Sequence, residues 1–150
     1  MTAIVALLIA FSFNPPEDSA GPVQARIEAP ATVTALNEPA PVRVVVKNSG
    51  QEPVSGTVRI RVIDPWSVDP LSAQWKADAG TETAVEFKVT PGAGAYNALY
   101  PIHAYVDFES GGARLTPHPI AIVEALAGGT AQFQPGVEWR PLDVTAGRAL

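Results

Sequence analysis

The stretch Val42-Arg43-Val44-Val45-Val46-Lys47 alternates between apolar and charged side chains over most of its length. Two further runs have the same pattern, Val58-Arg59-Ile60-Arg61-Val62 and Val85-Glu86-Phe87-Lys88-Val89. A period of two is what a half-buried β-strand requires, because successive side chains leave opposite faces of a sheet. The three runs therefore predict strands with one face in a core and the other in water.

Similar runs recur from residue 23 to residue 125, separated by Pro, Gly and Asn. Short strands at this spacing are typical of an all-β fold, and we predict an immunoglobulin-like antiparallel β-sandwich of about seven strands. The predicted strands cover residues 23–34 with a break near Pro30, 42–48, 56–63, 71–76, 83–89, 99–108 and 113–124. Gly111-Gly112 predicts a tight hairpin between the last two, because glycine adopts positive φ without strain.

The alternation also assigns faces to individual side chains. The predicted core contains Val44, Val46, Val58, Ile60, Val62, Val85, Phe87, Val89, Ile102, Ala104, Val106 and Ile120. The charged residues predicted to face water are Arg43, Lys47, Arg59, Arg61, Glu86 and Lys88.

Three segments follow from the pattern: 1–22 as an export signal and linker, 23–125 as the sandwich, and 126–150 as a linker or the start of a following segment. The run from Thr2 to Phe13 is apolar and uncharged, which suits the hydrophobic region of a signal peptide and is too short to span a bilayer. No Lys or Arg precedes it, so a strand or short helix packed on the domain is the alternative. Residues 14–22 contain three prolines and are predicted to form no strand.

Charge and cysteine content exclude several function classes. The net charge is −5, and the ten Lys and Arg residues are scattered singly. Binding of nucleic acid needs a basic face that neutralises phosphates, so it is not expected. The absence of cysteine excludes disulfides and thiolate chemistry.

The apolar N-terminal run predicts a secreted, periplasmic or cell-surface location for a chain that does not span the membrane.

Two short motifs carry a resemblance to known domains: Val46-Lys47-Asn48-Ser49-Gly50 after the second predicted strand, and Trp66-Ser67-Val68-Asp69-Pro70 further on. Together with the order of strands from 42 to 124, they resemble the bacterial immunoglobulin-like accessory domains found beside glycoside hydrolase modules. That group includes the NEW3 domain associated with α-galactosidases, and the CARDB adhesion-type domains are related to it.

The resemblance implies an exported, non-catalytic module that spaces, orients or stabilises a catalytic domain, with an association to carbohydrate-active enzymes. It implies no enzyme activity, no catalytic residue and no cofactor. The expected partners are neighbouring domains of a larger exported protein, with a polysaccharide as a further partner. The alternative is a direct binding module for a polysaccharide or a protein surface.

Aromatic residues offer the candidate ligand site. Trp66, Trp75 and Tyr105 could form a platform, because aromatic faces stack on the apolar faces of sugar rings. The competing interpretation is structural, since large aromatic residues dominate the energetics of protein cores. Trp66 in particular is flanked by Pro65, Val68 and Pro70 and could close one end of the sandwich.

A metal site and an active site find little support in the residues. His103, Tyr105 and Asp107 share one strand face, and closure of the hairpin would bring His118 close to His103. His103 and Asp107 would nevertheless lie about 13 Å apart along a strand, too far to share an ion. The acidic loop residues, Asp64, Asp69 and Asp78, are explained by turn formation rather than by calcium binding. No Gly-x-Ser-x-Gly motif is present, and no catalytic or metal-binding residue is predicted.

Overall fold

Strands and connecting loops, without a helix, make up residues 16–126, the part of the chain that the computed structural model describes. The strands are β1 (Glu17–Ala20), β2 (Val23–Glu28), β3 (Thr32–Val33), β4 (Ala40–Asn48), β5 (Val54–Arg61), β6 (Ser67–Asp69), β7 (Ser72–Ala77), β8 (Glu82–Thr90), β9 (Ala98–Ser110), β10 (Ala113–Leu115) and β11 (Ile120–Ala125). No helix that could cross a membrane occurs among these residues. The predicted export signal and nearly all of the segment 126–150 lie outside the described residues.

Two sheets pack face to face. The first sheet has the strand order β1-β2-β4-β8-β6, and the second has the order β3-β11-β9-β5-β7, with β10 also paired to β9. All pairings are antiparallel except that of β3 with β11. Seven strands have six or more residues. The predicted all-β sandwich of about seven strands is therefore confirmed.

The predicted core is mostly confirmed, because ten of its twelve residues are buried. Val44 and Val46 are fully inaccessible and face the second sheet across the sandwich, and Val62 is only partly buried. Of the charged residues predicted to face water, five are exposed and Arg59 is half-buried. Alternation therefore assigned the inner face correctly along the three strands that define it.

Ile120 was predicted in the core and is instead exposed. The residues from Ile120 to Val123 are all apolar, so alternation by itself cannot say which face is buried. In the structure Ala121 and Val123 face inward, and Ile120 and Ile122 face outward. The register of β11 on β9, which pairs Ile120 with His103, decides between the two arrangements.

Residues 14–22 were predicted to be a linker without strand, and this is wrong for Glu17–Ala20. These residues form β1 at the edge of the first sheet, and the N–H of Ile27 donates to the carbonyl of Pro16, 3.0 Å away. The prolines flank β1 without interrupting it, and an edge strand needs to donate hydrogen bonds on one side only. The sandwich therefore begins several residues before the predicted boundary at Val23.

The hairpin between β9 and β10 forms as predicted. Gly111 and Gly112 have φ angles of 58° and 77°, the pair of positive values that a tight two-residue turn requires. Ala113 is consequently paired with Ser110, and Leu115 with Phe108. This register controls where the residues after β10 lie on the second sheet.

Candidate functional site

The two tryptophans of the predicted platform are buried. Trp66 is 6% exposed and stacks on Tyr100, with 4.8 Å between the ring centroids. Trp75 is 4% exposed and meets the ring of Phe108 edge-on at 6.0 Å. Neither indole N–H has a hydrogen-bond partner among residues 16–126. Both side chains therefore pack in the core and offer no aromatic face to a sugar ring.

Tyr105 lies elsewhere, on the outer face of the second sheet, and both faces of its ring are occupied. The ring of His118 stacks on it with 4.1 Å between centroids, and the guanidinium of Arg59 lies 5.2 Å from the centroid. The structure does not bring Trp66, Trp75 and Tyr105 together, and none of the three has a free ring face. The described residues hold no stacking platform of the predicted kind.

The outer face of the second sheet instead carries a cross-strand cluster, which we call the imidazole ladder: Arg59, His103, Tyr105 and His118. Arg59 on β5 is paired with Tyr105 on β9. β10 and β11 both pair with β9, and the antiparallel register of the two pairings is the same. His118 lies in the segment between β10 and β11, and this register places it opposite Tyr105. A row of three side chains thus crosses three chain segments.

Pro117 and Pro119 keep the segment between β10 and β11 hydrogen-bonded to β9. Their carbonyls accept hydrogen bonds from the N–H groups of Val106 and Ala104, at 3.0 and 3.1 Å. The side chains of both prolines are buried, so His118 between them points outward. The sequence predicted that closure of the hairpin would place His118 near His103, and this is confirmed: Nδ1 of His103 lies 3.0 Å from Nε2 of His118. In the neutral pair, one ring donates this hydrogen bond and the other accepts it.

Asp107 anchors the ladder on one side. Its carboxylate accepts hydrogen bonds from Nε of Arg59 at 2.7 Å and from the hydroxyl of Thr116 at 2.8 Å, and Arg114 lies 3.7 Å away. Burial by itself would raise the pKa of Asp107, but these hydrogen bonds and the two arginine charges outweigh burial and hold the pKa below its usual value. Asp107 therefore stays ionised and fixes Arg59 beside Tyr105.

Asp18 holds the ladder on the other side, and no local pattern pointed to this role because the segment of Asp18 was predicted to be a linker. One carboxylate oxygen accepts the backbone N–H of His118 at 2.7 Å, and the other accepts the N–H of Ser19 at 2.8 Å. The contact joins β1, in the first sheet, to the proline-flanked segment of the second sheet. A pairing across 100 residues of chain is not visible as a local pattern.

The side chains of the imidazole ladder form a poor site for a metal ion. Among residues 16–126 no group of three or more His, Asp or Glu side chains converges. The imidazole pair lies beside two cations, because Arg59 and Arg61 are the β5 partners of Tyr105 and His103. Asp107 is held by Arg59 rather than directed at the imidazoles. Two nitrogen ligands next to two guanidinium groups make a poor site for a divalent cation.

The imidazole pair makes stability depend on pH. Burial lowers the pKa of His103, and the charge of His118 lowers it further. Protonation is thus less favourable in the folded protein than in the unfolded chain. The stability that the neutral ring contributes is present above the unfolded pKa, about 6.5, and is lost as the pH falls through the folded value.

We therefore expect His103→Gln to flatten this dependence. The melting temperature of the wild type should fall more steeply than that of the variant as the pH is lowered from about 7 to 5. Thermal unfolding followed by circular dichroism at half-unit pH steps measures both slopes. Equal slopes for the two proteins would show that the pair does not carry the effect.

One end of the same outer face is apolar. Leu99 and Ile122 are 67% and 53% exposed, and Ile120 is 41% exposed. Pro101 is the β9 partner of Ile122, and these four residues, which we call the apolar end, form neighbouring rows next to His103. Leu99, Ile120 and Ile122 line a groove of about 580 Å³ together with Pro16, Ile27 and the chain from Ala29 to Thr32.

Tyr100 gives the fold a further recognisable feature. It lies near the start of β9, and its hydroxyl accepts the N–H of Tyr96 at 2.9 Å and donates to the carbonyl of Tyr96 at 3.0 Å. A tyrosine at this corner that is bonded to backbone a few residues upstream is a hallmark of immunoglobulin-like sandwiches. With the strand order above, it defines the class: an immunoglobulin-like β-sandwich domain.

Comparison with known proteins supports the immunoglobulin-like fold of this chain and shows nothing beyond the fold. No family model matches the chain, and no curated protein matches it. A structure of Escherichia coli alpha-2-macroglobulin spanning domain MG7 to the C-terminus is similar with a TM-score of 0.59 at 16% identity, over 71% of this chain and 17% of that one. The native conformation of that protein gives 0.58 at 16% identity, over 71% of this chain and 7% of that one.

The CARDB domain of a Pyrococcus furiosus protein is similar with a TM-score of 0.51 at 23% identity, over 71% of this chain and 95% of that one. The predicted CARDB-like, immunoglobulin-like fold is thereby supported. None of these comparisons reports a NEW3 domain. The resemblance to the NEW3 domain therefore stays a prediction.

Proposed function

We propose that this chain supplies a non-catalytic immunoglobulin-like module that spaces and supports the neighbouring domains of a larger exported bacterial protein. The observation that carries the proposal is that its reactive side chains bind one another. His103 is bonded to His118, Arg59 to Asp107, and Tyr105 is enclosed between Arg59 and His118. Such contacts stiffen a sheet, and within residues 16–126 they leave none of these side chains free to act on a substrate.

The context of the module is proposed from the sequence. Export rests on the apolar run from Thr2 to Phe13, which has the length of a signal-peptide core. The link to carbohydrate-active enzymes rests on the resemblance carried by Asn48-Ser49-Gly50 and by the motif that begins at Trp66. The macroglobulin similarity supports a modular role, because the matching region is a small part of a long chain.

The experiment is affinity electrophoresis of the full chain through gels that contain soluble xylan, β-glucan, galactomannan or pectin. We expect the same relative mobility in every gel, because the two tryptophans are buried and Tyr105 has no free face. Tyr105→Ala is the matched variant and should migrate like the wild type. Retardation in one gel that Tyr105→Ala removes would overturn the spacer role in favour of a polysaccharide-binding module.

A second candidate function is supported by the apolar end. Outer sheet faces of a sandwich are expected to be polar, whereas Leu99, Ile120 and Ile122 expose large apolar side chains in adjacent rows. Contiguous apolar surface rimmed by charge is typical of protein–protein contacts. The second candidate is therefore a module that binds a protein surface through this end of the second sheet.

A further inference from the structure

The outer faces of the two sheets differ in chemistry. On the first sheet, Arg26 forms ion pairs with both Glu28 and Glu82, so charged side chains cover these strands. At the apolar end of the second sheet the exposed side chains are aliphatic, and Leu99 and Ile122 are each more than half exposed. Contiguous aliphatic surface is typical of a contact with another protein. The charges that border the apolar end indicate which protein this is.

Two charged residues lie at opposite corners of the apolar end. Glu124 on β11 is the strand partner of Leu99, and Arg61 on β5 is the strand partner of His103. Pro101 lies on β9 between these two rows, halfway from one corner to the other. Glu124 and Arg61 are both exposed, and neither has an ion-pair partner among residues 16–126. The apolar end therefore has an acid at one corner and a base at the opposite one.

We propose that the apolar end binds a second copy of this chain, face to face, in a two-fold symmetric dimer. This proposal rests on the second candidate function, the binding of a protein surface, and names the partner. In a two-fold dimer both copies use the same surface, so that surface has to be complementary to itself. An apolar centre with an acid and a base at opposite corners meets this condition.

The strand register allows both ion pairs to form at once. Glu124 and Arg61 are two strand spacings apart across the sheet, about 10 Å, and four residues apart along it, about 13 Å. A two-fold axis that lies in the interface above Pro101, perpendicular to the line from Glu124 to Arg61, places each Glu124 over the Arg61 of the other copy. The strands of the two copies then cross at roughly 70°, close to the orthogonal arrangement of packed sheets.

The same axis brings aliphatic side chains together in the centre. Ile122 of each copy lies over Ile120 and His103 of the other copy. Ile120 of each copy faces the groove beside Ile122 of the other copy, which the chain from Ala29 to Thr32 borders. Removal of these exposed isoleucines from water favours association, because burial of apolar surface is the main driving force of protein contacts.

The size of the face predicts a weak dimer. β11, β9 and β5, with the groove beside them, are about 20 Å wide. Two such faces that cross near a right angle overlap over about 20 Å by 20 Å and bury several hundred Å² of each copy, less than the roughly 800 Å² per partner of a stable interface. We therefore expect a dissociation constant of about 100 μM.

Sedimentation equilibrium of the full chain, from about 10 to 500 μM, measures the association. The wild type is expected to pass from monomer to dimer over this range. Ile122→Asp should weaken association by more than about tenfold, because it places a charge in the aliphatic contact. The matched control is Leu71→Asp, since Leu71 is 72% exposed and lies before β7, away from the interface. It should associate like the wild type.

Charge reversal tests the two-fold pairing directly. Glu124→Arg and Arg61→Glu should each weaken association by about tenfold or more, because each brings like charges together at both corners. An equimolar mixture of these two variants should associate about as tightly as the wild type, since every contact between unlike copies then joins opposite charges. Glu86→Arg makes the same change of charge at an exposed position of the first sheet and should have no effect.

Three results would overturn the proposal. The first is a chain that stays monomeric up to about 500 μM, as for a face that another part of the chain or a different protein covers. The second is a loss of association in Glu86→Arg as large as that in Glu124→Arg. The third is a mixture of the two charge-reversal variants that associates no better than either alone, although both melt like the wild type. Retardation in a polysaccharide gel would overturn the spacer role and would leave the sedimentation result as it stands.

Discussion

Replacement of Ile60 by aspartate is expected to unfold the domain. Ile60 is 2% exposed at the centre of the second sheet, where β5 pairs with β9 and its N–H donates to the carbonyl of Leu71. Loss of the buried side chain costs about 2 kcal/mol, and a buried carboxylate without a partner costs several more. A domain of this size has about 5–15 kcal/mol of stability, so most of it would be lost.

Urea denaturation followed by circular dichroism measures the effect, with Arg61→Gln as the matched control. Arg61 is the next residue of the same strand and is exposed, so its substitution should change the unfolding free energy by less than about 0.5 kcal/mol. Arg59 is a poor control despite its predicted exposure, because it is bonded to Asp107. An Ile60→Asp protein that melts near the wild type would show that the inner face has been misassigned.

Replacement of Asn48 by alanine is expected to cost about 3 kcal/mol, because it removes a buried side chain that is hydrogen-bonded to four backbone groups. Asn48 is fully buried, and its amide nitrogen lies 2.7 Å from the carbonyl of Glu52 and 3.2 and 3.3 Å from those of Ala77 and Asp78. Its side-chain oxygen accepts the N–H of Gly50 at 2.9 Å. One side chain thus joins the turn after β4 to the turn after β7.

The melting temperature of Asn48→Ala should fall by more than about 10 °C, which differential scanning calorimetry measures directly. Asn48→Asp should be no better, since a carboxylate would face the three carbonyls that the amide group now contacts. Asn97→Ala removes an exposed amide and should be neutral. A loss below about 0.5 kcal/mol for Asn48→Ala would show that water replaces the amide at no cost.

The motif at Asn48 has a part that is visible locally and a part that depends on distant contacts. The run Val46-Lys47-Asn48-Ser49-Gly50 marks a turn after a strand, and the structure has that turn. The sequence does not reveal that Asn48 also bonds Ala77 and Asp78, because those partners are 29 and 30 residues away. A local pattern identifies the residue, and the tertiary contacts explain why it is asparagine.

The imidazole ladder was partly predictable. Alternation placed His103, Tyr105 and Asp107 on one face, and the Gly111-Gly112 turn placed His118 beside them. The roles of Arg59 and Asp18 were not visible, because each acts across a pairing of distant segments. The burial of Trp66 and Trp75 agrees with the structural interpretation of these residues and not with a platform shared with Tyr105.

What the sequence by itself determined is the set of strands, the tight hairpin and the face to which most side chains belong. These follow from a period of two and from the backbone freedom of glycine, both of which are local properties of the chain. Only the tertiary structure decided that the tryptophans are buried, that Tyr105 is enclosed, and that Ile120 and Ile122 face outward. The physical reason is that alternation specifies opposite faces, whereas what covers each face depends on segments brought together from far along the chain.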